Sequence, residues 1–490
     1  MTKPSIVAIP TARPTFVVEV AQQRADDARR LLIELGAEVT GPTQLVMTPD
    51  DVAAAAAFLA GRHDLVINVC ASFSDASPAL ALYAQLGKPV LLWSFTEPGP
   101  VGDRLWLNSM CGANLFGHAL VRAGGSVRLV YGDPGDPGVR DVLTRALAGE
   151  LPAAPELPDY HGPRASAEDV RRSLTSLSGR RIGIIGDGPP GFTPSEYDGD
   201  LLKRLFGLHV QRLELDEAFA AVSAVPDSTR SAELVAATAA QPSLAALNPQ
   251  DLASFAAVTT TLRDWRGEAD LSAMAVRCWP EFPTRLGVCP CSSLGRLADE
   301  GTPTACERDV YGAVTMLLAE SLGSGTTYLV DTVDLDAESN LVRLWHCGSA
   351  ATSLAADPDN ATQFTHCNRK IGVAGNFPLR AGRVVLCRLT EDNDPQSTSG
   401  LRMLIASGVS LAEPNRFQGN TAAIRLDSDA AEFVQGLVTG GFPHHTVLAW
   451  TDIRPQLRAA ADELGIRVVE WAGATPGEPV ETPDPVERRV

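Results

Sequence analysis

Residues 64–70 (DLVINVC) form a short apolar run, and residues 5–10 (SIVAIP) and 89–95 (PVLLWSF) form similar runs on either side of it. Each run has the length and composition of a buried strand in a parallel sheet. Amphipathic stretches lie between the runs, over residues 17–35 and 49–60. Strands that alternate with helices in this way predict an α/β domain with a parallel sheet.

A second domain of the same kind is predicted after a proline-rich segment. Residues 151–166 carry four prolines, which neither a helix nor a central strand tolerates, so they predict a linker. Residues 181–185 (RIGII) then predict a strand, and residues 201–206 predict the helix that follows it. We therefore predict two Rossmann-like α/β domains, the first over residues 1–155 and the second over residues 156–345.

The last third of the chain has a different pattern. From about residue 350 short β runs such as 383–389 (RVVLCRL) and 402–407 (RMLIAS) alternate with Gly, Asn and Asp turns. This pattern predicts a β-rich, barrel-like C-terminal domain over residues 346–470. Residues 471–490 are rich in Pro, Thr and Glu and predict a disordered tail.

The charge balance limits the classes of partner. The chain has 490 residues, with 59 acidic against 41 basic side chains and a net charge of −18. Nucleic acids and anionic membranes are bound through clustered Lys and Arg, so this acidic balance argues against both. The sequence shows neither a signal peptide pattern nor an apolar run of about 18 residues, which predicts a cytoplasmic protein.

Thr304 and Glu307 precede a strongly helical run, AVTMLLAESLG, that stops at Gly323. Their spacing fits a capping box, in which the threonine caps the helix and the glutamate reaches back to it. Taken alone, these residues favour the structural cap over a catalytic glutamate.

Further acids and histidines are predicted at the ends of strands. Asp331 follows the predicted strand at residues 326–330, at the carboxyl end, where ligands gather in open α/β sheets. His346 ends another predicted strand, and His444 and His445 precede a third. A lone strand histidine is usually a hydrogen-bonded core residue, but this grouping favours a site. Carboxylates and imidazoles together suit an open-sided divalent ion such as manganese.

Five segments of the chain resemble the L-fucose isomerase and L-arabinose isomerase superfamily of ketol isomerases. They are RCWP (277–280), ACERDVYGAVTMLL (305–318), DTVDLD (331–336), LWHCG (344–348) and PHHTVLAW (443–450) with the following Asp-Ile-Arg. The likeness extends more loosely over both preceding α/β domains. It implies a divalent-metal-dependent aldose-ketose isomerase that acts on a monosaccharide through a cis-enediol.

The resemblance also implies the roles of individual residues. Glu307 and Asp331 match an acid/base pair that also binds the metal, and His445 matches the histidine ligand. His346 is placed in the site without a settled ligand role, and His444 is placed there as a substrate contact. The cofactor implied is Mn²⁺, or another divalent ion such as Mg²⁺ or Co²⁺. Proton transfer between C1 and C2 needs a base and its conjugate acid, and the ion stabilises the developing oxyanion.

Additional side chains are candidates for substrate binding, although ordinary core or surface roles are about equally favoured. They are Arg13, Trp93, Trp279, Phe282 and Arg416. The aromatic rings beside the metal region are able to stack on a sugar face, and an arginine is able to bind an anion through two hydrogen bonds. The substrate expected is a sugar like L-fucose or D-arabinose, or an anionic hexose such as sulfoquinovose.

In the superfamily a neighbouring subunit's first domain helps to close the sugar pocket, so a homo-oligomer of three or six chains is implied. Two other functions stay open. A cytosolic sugar sensor built on paired α/β domains leaves the acids and histidines near the third domain unexplained. A metal-dependent hydrolase or aldolase uses the same ligands, but its product differs from the substrate in elemental formula.

Overall fold

The computed structural model describes residues 3–160 and 162–471, so the predicted tail after Trp471 lies outside the described residues. These ranges form a mixed α/β structure with two parallel sheets and one large mixed sheet, as the sequence predicts at this level. In the same ranges, none of the helices combines the length and the apolar character needed to cross a membrane.

The first sheet has five parallel strands. They are β1 (Ser5–Thr11), β2 (Glu38–Thr40), β3 (Leu65–Cys70), β4 (Val90–Ser94) and β5 (Val127–Tyr131). Its helices are α1 (Val18–Glu34), α2 (Pro49–Ala56), α3 (Ser77–Tyr83), α4 (Ser109–Arg122) and α5 (Pro137–Leu147). The strand order is β2-β1-β3-β4-β5. The order reverses between β1 and β3, and such a reversal opens a crevice at the carboxyl ends of the strands.

The second sheet has four parallel strands in the middle of the chain. They are β6 (Arg181–Ile185), β7 (His209–Leu213), β8 (Leu271–Val276) and β9 (Thr304–Ala305), in the order β7-β6-β8-β9. Its helices are α6 (Ala167–Leu177), α7 (Gly199–Phe206), α8 (Leu215–Ala224), α9 (Asp227–Ala240), α10 (Pro249–Glu268), α11 (Cys291–Asp299) and α12 (Val310–Ser321). The short strand β9 leads directly into the segment that carries Glu307.

The remaining strands build the mixed sheet and one two-stranded ribbon. They are β10 (Tyr328–Asp336), β11 (Leu341–His346), β12 (Gln363–Phe364), β13 (Ala374–Gly375), β14 (Phe377–Pro378), β15 (Gly382–Glu391), β16 (Leu401–Leu411), β17 (Asn420–Leu426), β18 (His445–Ala449) and β19 (Arg467–Trp471). Two helices accompany them, α13 (Ala430–Thr439) and α14 (Arg454–Leu464).

Part of the mixed sheet closes into a ring of strands. Its order is β14-β17-β11-β10-β18-β15-β16-β19, and β17 also pairs with β16. Six antiparallel strands, β17, β11, β10, β18, β15 and β16, therefore form a closed ring. Because β10 and β11 belong to this ring, the predicted boundary at residue 345 falls near the end of a ring strand, and the division into domains stays a prediction.

The structure corrects the expected position of Asp331. Strand β10 does not stop at residue 330, so Asp331 lies within an antiparallel strand and not at the carboxyl end of a parallel one. The strand continues because its next acidic residue is neutralised in place. Asp334 accepts a hydrogen bond from the Tyr131 hydroxyl at 2.5 Å and pairs with Arg343 at 3.1 Å.

The first sheet packs directly against the ring of strands. Gly117 in α4 lies against the backbone of Val438 in α13, where an added Cβ would meet the Val438 carbonyl oxygen at 2.4 Å. Only glycine permits so close an approach. This contact packs helix α4 of the first sheet against α13, the helix between ring strands β17 and β18.

Candidate active site

The predicted site residues converge from three parts of the fold. Asp331 on β10 lies directly opposite His445 on β18 in the antiparallel register. His346 ends β11, next to the residue that pairs with Asp331 from the other side. Glu307 lies in the turn between β9 and α12. The structure thus brings together Glu307, Asp331, His346 and His445, which are up to 138 residues apart in sequence (445 − 307 = 138).

Three potential ligand atoms meet at the centre of this group. Nε2 of His445 lies 3.1 Å from Oε2 of Glu307 and 3.1 Å from Oδ1 of Asp331. Among the described residues neither His445 Nε2 nor Asp331 Oδ1 has a properly oriented hydrogen-bond partner, although both atoms are buried. Leaving buried polar atoms unpaired is costly. A divalent cation would satisfy both, so the donor set fits a metal.

The electrostatics favour a positive charge at this point. Burial lowers the pKa of the His445 imidazole, but the three carboxylates of Asp309, Asp331 and Glu307 outweigh burial and raise it well above its ordinary value. Burial raises the pKa of Glu307 and of Asp331, yet the neighbouring histidines outweigh this and hold both below their ordinary values. Both acids are therefore carboxylates, which is the form that binds a cation.

Asp309 and Arg388 lie on the Nδ1 side of the His445 ring, and neither was predicted from the sequence. Nδ1 of His445 donates to Oδ2 of Asp309 at 2.8 Å, so Nε2 is the nitrogen that faces the two acids and that would bind a metal in place of its proton. Arg388 holds the same carboxylate through two hydrogen bonds, one of them at 2.8 Å to Oδ1. Asp309 and Arg388 are both almost fully buried. Their pairing joins residues 79 positions apart, and no local pattern indicates it.

Glu307 is held in a strained backbone conformation. Its φ is 59° and that of Arg308 is 55°, in the left-handed region that side chains other than glycine rarely adopt. Such residues cost about 1–3 kcal/mol each and persist where the surroundings hold them. Here the Arg308 side chain donates to the carbonyl oxygens of Gly186 and Ser195 at 3.2 and 3.1 Å.

The capping box predicted at this segment is wrong. Thr304 lies in β9, where its hydroxyl donates to the Leu294 carbonyl oxygen, and it caps no helix. Helix α12 begins at Val310 and is capped by Asp309, whose side chain accepts from the Gly312 amide. The cap is two residues downstream of Glu307, which leaves the Glu307 carboxylate available for the site.

Trp279 connects Glu307 to the pocket. The indole Nε1 donates to Oε1 of Glu307 at 2.5 Å, while Oε2 of that carboxylate lies beside His445. Trp279 also lines the pocket that holds the acids, and its contact with a sugar stays a prediction. One carboxylate oxygen is thus fixed by the indole and the other faces the candidate metal position.

The other two histidines differ from His445 in their proton positions. The backbone amide of Cys347 donates to Nδ1 of His346 at 2.9 Å, so the ring proton of the neutral imidazole lies on Nε2. Burial lowers the pKa of His346 and keeps it neutral. His346 lines the pocket, and one of its ring nitrogens lies within 4.8 Å of ligand atoms of Glu307 and His445. Burial and the nearby His445 lower the pKa of His444 to about 4, and this ring also lines the pocket.

The pocket is lined by loops of the chain's own first sheet as well as by the ring of antiparallel strands. Arg13 follows β1 and Phe73 follows β3, at the crevice where the strand order reverses, and both line the pocket with Glu307 and Asp331. Arg369, which was not predicted from the sequence as a site residue, also lines the pocket. The expected trimer or hexamer stays a prediction, because these wall contacts come from one chain.

Three predicted substrate residues lie elsewhere. Trp93 is fully buried in the first sheet and donates to the Gly132 carbonyl oxygen. Phe282 packs edge-on against Phe219 with ring centroids 5.0 Å apart. Arg416 lines a separate cavity. Trp93 was selected for its place in a predicted strand, Phe282 for its closeness in sequence to the metal region, and Arg416 for its residue type. None of these signals specifies where the side chain points.

Comparison with known proteins identifies relatives along nearly the whole chain. No family model matches it. A sulfoquinovose isomerase from Alkalicoccus urumqiensis is 32% identical over 469 residues, covering 95% of this chain and 99% of that protein. Sulfoquinovose isomerases from Priestia aryabhattai and Clostridium sp. (strain MSTE9) are 30% and 29% identical, covering 93% and 95% of this chain and 97% and 98% of those proteins.

These relatives support a sugar isomerase and not the sensor, hydrolase or aldolase alternatives. Membership of the L-fucose and L-arabinose isomerase superfamily stays a prediction from the motifs. On the similarity to the protein from Alkalicoccus urumqiensis, which extends over almost the full length of both chains, the present chain is an isomerase that belongs to the sulfoquinovose isomerase family.

Proposed function

We propose that this protein is a divalent-metal-dependent isomerase that converts sulfoquinovose, an aldose, into the corresponding ketose through a cis-enediol. The observation that carries the proposal is the convergence of Glu307, Asp331 and His445 on one point, 3.1 Å from the imidazole Nε2 to each acid. Curated relatives named for sulfoquinovose support the choice of sugar.

Glu307, Asp331 and His445 are the residues that would hold Mn²⁺ or a similar ion such as Mg²⁺ or Co²⁺. When bound, the ion supplies positive charge that stabilises the oxyanion developing on the sugar. The chain's own contribution is proton transfer. The C2 proton of the aldose passes to a carboxylate and returns at C1, while a second proton moves between O1 and O2.

We assign this work to Glu307 and Asp331. Both are carboxylates with lowered pKa values, so each is able to accept a proton at neutral pH. Trp279 keeps the Glu307 carboxylate in one orientation through its 2.5 Å hydrogen bond. His346 lines the pocket and has its Nδ1 occupied by the Cys347 amide, so its Nε2–H would donate to a sugar oxygen.

The test is to incubate the protein with Mn²⁺ and sulfoquinovose in D₂O and to follow the C2 proton and the ketose signals by NMR. We expect ketose to form, with exchange at the transferred hydrogen. Removal of the metal with EDTA should abolish turnover, and Mn²⁺ should restore it. Ketose formation at an unchanged rate after the metal is removed and its absence verified would contradict the metal-dependent mechanism.

Trp279→Phe is expected to lower kcat by about tenfold or more. The substitution keeps an aromatic ring but removes a hydrogen bond to a charged group, which contributes about 1.5–3 kcal/mol. Trp93→Phe is the matched control, since Trp93 also loses an indole hydrogen bond but is buried in the first sheet. Steady-state rates that fall equally in both variants would contradict a specific role for Trp279.

A further inference from the structure

We propose that Arg13 and Arg369 form an anion clamp that binds the C6 sulfonate of the substrate and selects anionic over neutral hexoses. This inference rests on the proposed function and adds to it the residues that determine specificity. Arg13 lies in the loop after β1, and Arg369 lies in the segment between β12 and β13. Both line the pocket that holds Glu307 and Asp331.

Among the residues that the structure describes, the guanidinium groups of both arginines lack an ionic or hydrogen-bonding partner. Within residues 3–160 and 162–471, neither guanidinium makes a hydrogen bond or has a carboxylate within 4.0 Å, and both are half-buried. Two other half-buried arginines pair with a carboxylate, Arg277 with Glu281 and Arg343 with Asp334. Arg13 and Arg369 differ from these two because both line the pocket of the acids without such a pair. Their own charges therefore remain available for an anion from outside.

The two guanidinium groups also act on each other. Burial lowers the pKa of Arg13, and the charge of Arg369 lowers it further, while Asp75 and Glu307 act in the opposite direction. Like charges in one partly buried pocket repel each other, so free energy is gained when an anion lies between them. A sulfonate carries one negative charge on three oxygens and accepts paired hydrogen bonds from guanidinium groups, as a phosphate does.

Arg13 is fixed in place on aromatic rings. Its guanidinium carbon lies 4.5 Å from the centroid of the Trp279 ring and 5.9 Å from that of Phe73. Its backbone amide donates to the Ser72 hydroxyl at 3.0 Å. A guanidinium stacked in this way loses less side-chain entropy when it binds a ligand, because its orientation is already restricted.

The segment that carries Arg369 is also anchored. The backbone amides of Asn368 and Arg369 both donate to Nδ1 of His366, each at 3.2 Å. Burial and the charge of Arg369 lower the pKa of His366 to about 3, so this imidazole stays neutral and accepts both bonds. The neutral ring thus positions Arg369 without adding a third positive charge.

A single side chain, Trp279, lies between Arg13 of the clamp and the Glu307 carboxylate. Trp279 contacts Arg13 on its ring face and Glu307 through its indole nitrogen at 2.5 Å. A hexose with C1 and C2 beside the acids therefore has its far end available to the arginines. We infer that the sulfonate at C6 fixes the sugar chain so that C2 meets the carboxylates.

The test compares Arg13→Met and Arg369→Met with Arg416→Met, an arginine that lines a different cavity. The substrates are sulfoquinovose and its neutral analogue 6-deoxyglucose, each with Mn²⁺ present. Each clamp variant should lower kcat/KM for sulfoquinovose by about 100-fold. The rate with 6-deoxyglucose should change less than about threefold, and Arg416→Met should match the original protein with both sugars.

If kcat/KM falls equally with both sugars, the two arginines have a structural role and the clamp is wrong. If kcat/KM with sulfoquinovose does not fall, the clamp is also wrong. Arg13→Lys tests the geometry, since it keeps the charge but loses the paired hydrogen bonds, and we expect an intermediate loss of kcat/KM.

Glucose 6-phosphate as a substrate distinguishes recognition of a sulfonate from recognition of any anion. If the variants lose kcat/KM with both anionic sugars, the clamp recognises anions in general. If they lose kcat/KM with sulfoquinovose alone, the clamp selects the sulfonate. Both results support the clamp.

A measurement of substrate binding distinguishes failure of the clamp from failure of the proposed function. Isothermal titration of sulfoquinovose should show about 100-fold weaker binding in Arg13→Met and Arg369→Met. If the original protein binds sulfoquinovose but forms no ketose, the proposed function fails while this comparison still decides the clamp. If both variants bind as tightly as the original protein, the clamp is wrong whatever the reaction.

Discussion

Glu307→Gln is expected to lower kcat/KM for isomerisation by at least about 1,000-fold. General acid/base groups typically contribute about 10²–10⁴-fold, and Glu307 would also help to hold the metal. The glutamine keeps the size of the side chain and one oxygen, but it neither accepts a proton from carbon nor carries charge. Hydrogen exchange at C2 in D₂O and turnover should both be lost.

Metal content, measured separately, distinguishes the two roles of Glu307. Asp331 and His445 remain in this variant, so we expect it to retain metal at saturating Mn²⁺ and still fail to exchange the C2 proton. Glu281→Gln is the matched control, because that glutamate pairs with Arg277 and does not line the pocket. Near-normal isomerisation by Glu307→Gln would show that the acid/base assignment is wrong.

Much of the fold follows from local composition. The apolar run at residues 181–185 is strand β6 with the same limits, and the helix predicted at residues 201–206 lies within α7. Where the prediction failed, tertiary pairing determined the outcome. Strand β10 continues through the acidic run after Asp331 because Asp334 finds partners in Tyr131 and Arg343.

The residues of the candidate site were predicted from two kinds of signal. Their positions at the ends of predicted strands already indicated Asp331 and His445, whereas Glu307 was selected only by the resemblance, since the residues alone favoured a helix cap there. The backbone strain at Glu307 has no sequence signal, because it depends on Arg308 reaching carbonyl groups of another segment. The sequence also carries no signal for Arg369 as a pocket residue. Arg369 and Arg13 line the same pocket because the fold brings two loops together that are distant in sequence.

Asp309→Asn is expected to weaken Mn²⁺ binding by about 10–100-fold, the usual effect of losing the carboxylate behind a metal-binding histidine. The amide no longer holds the Nδ1 proton of His445 by charge. The substitution also leaves Arg388, which is 1% exposed, without its counter-ion. Breaking a buried pair in this way costs about 3–5 kcal/mol of folding free energy.

A second buried pair in the same chain separates the effect on the metal from the effect on stability. Arg458 and Glu470 are 6% and 0% exposed, and their contacts involve none of the candidate metal ligands. Glu470→Gln should lower the free energy of unfolding by a similar amount, measured by urea denaturation, and leave the Mn²⁺ affinity unchanged. If Asp309→Asn loses stability but binds Mn²⁺ as tightly as Glu470→Gln does, Asp309 stabilises the fold and does not set the ligand strength of His445.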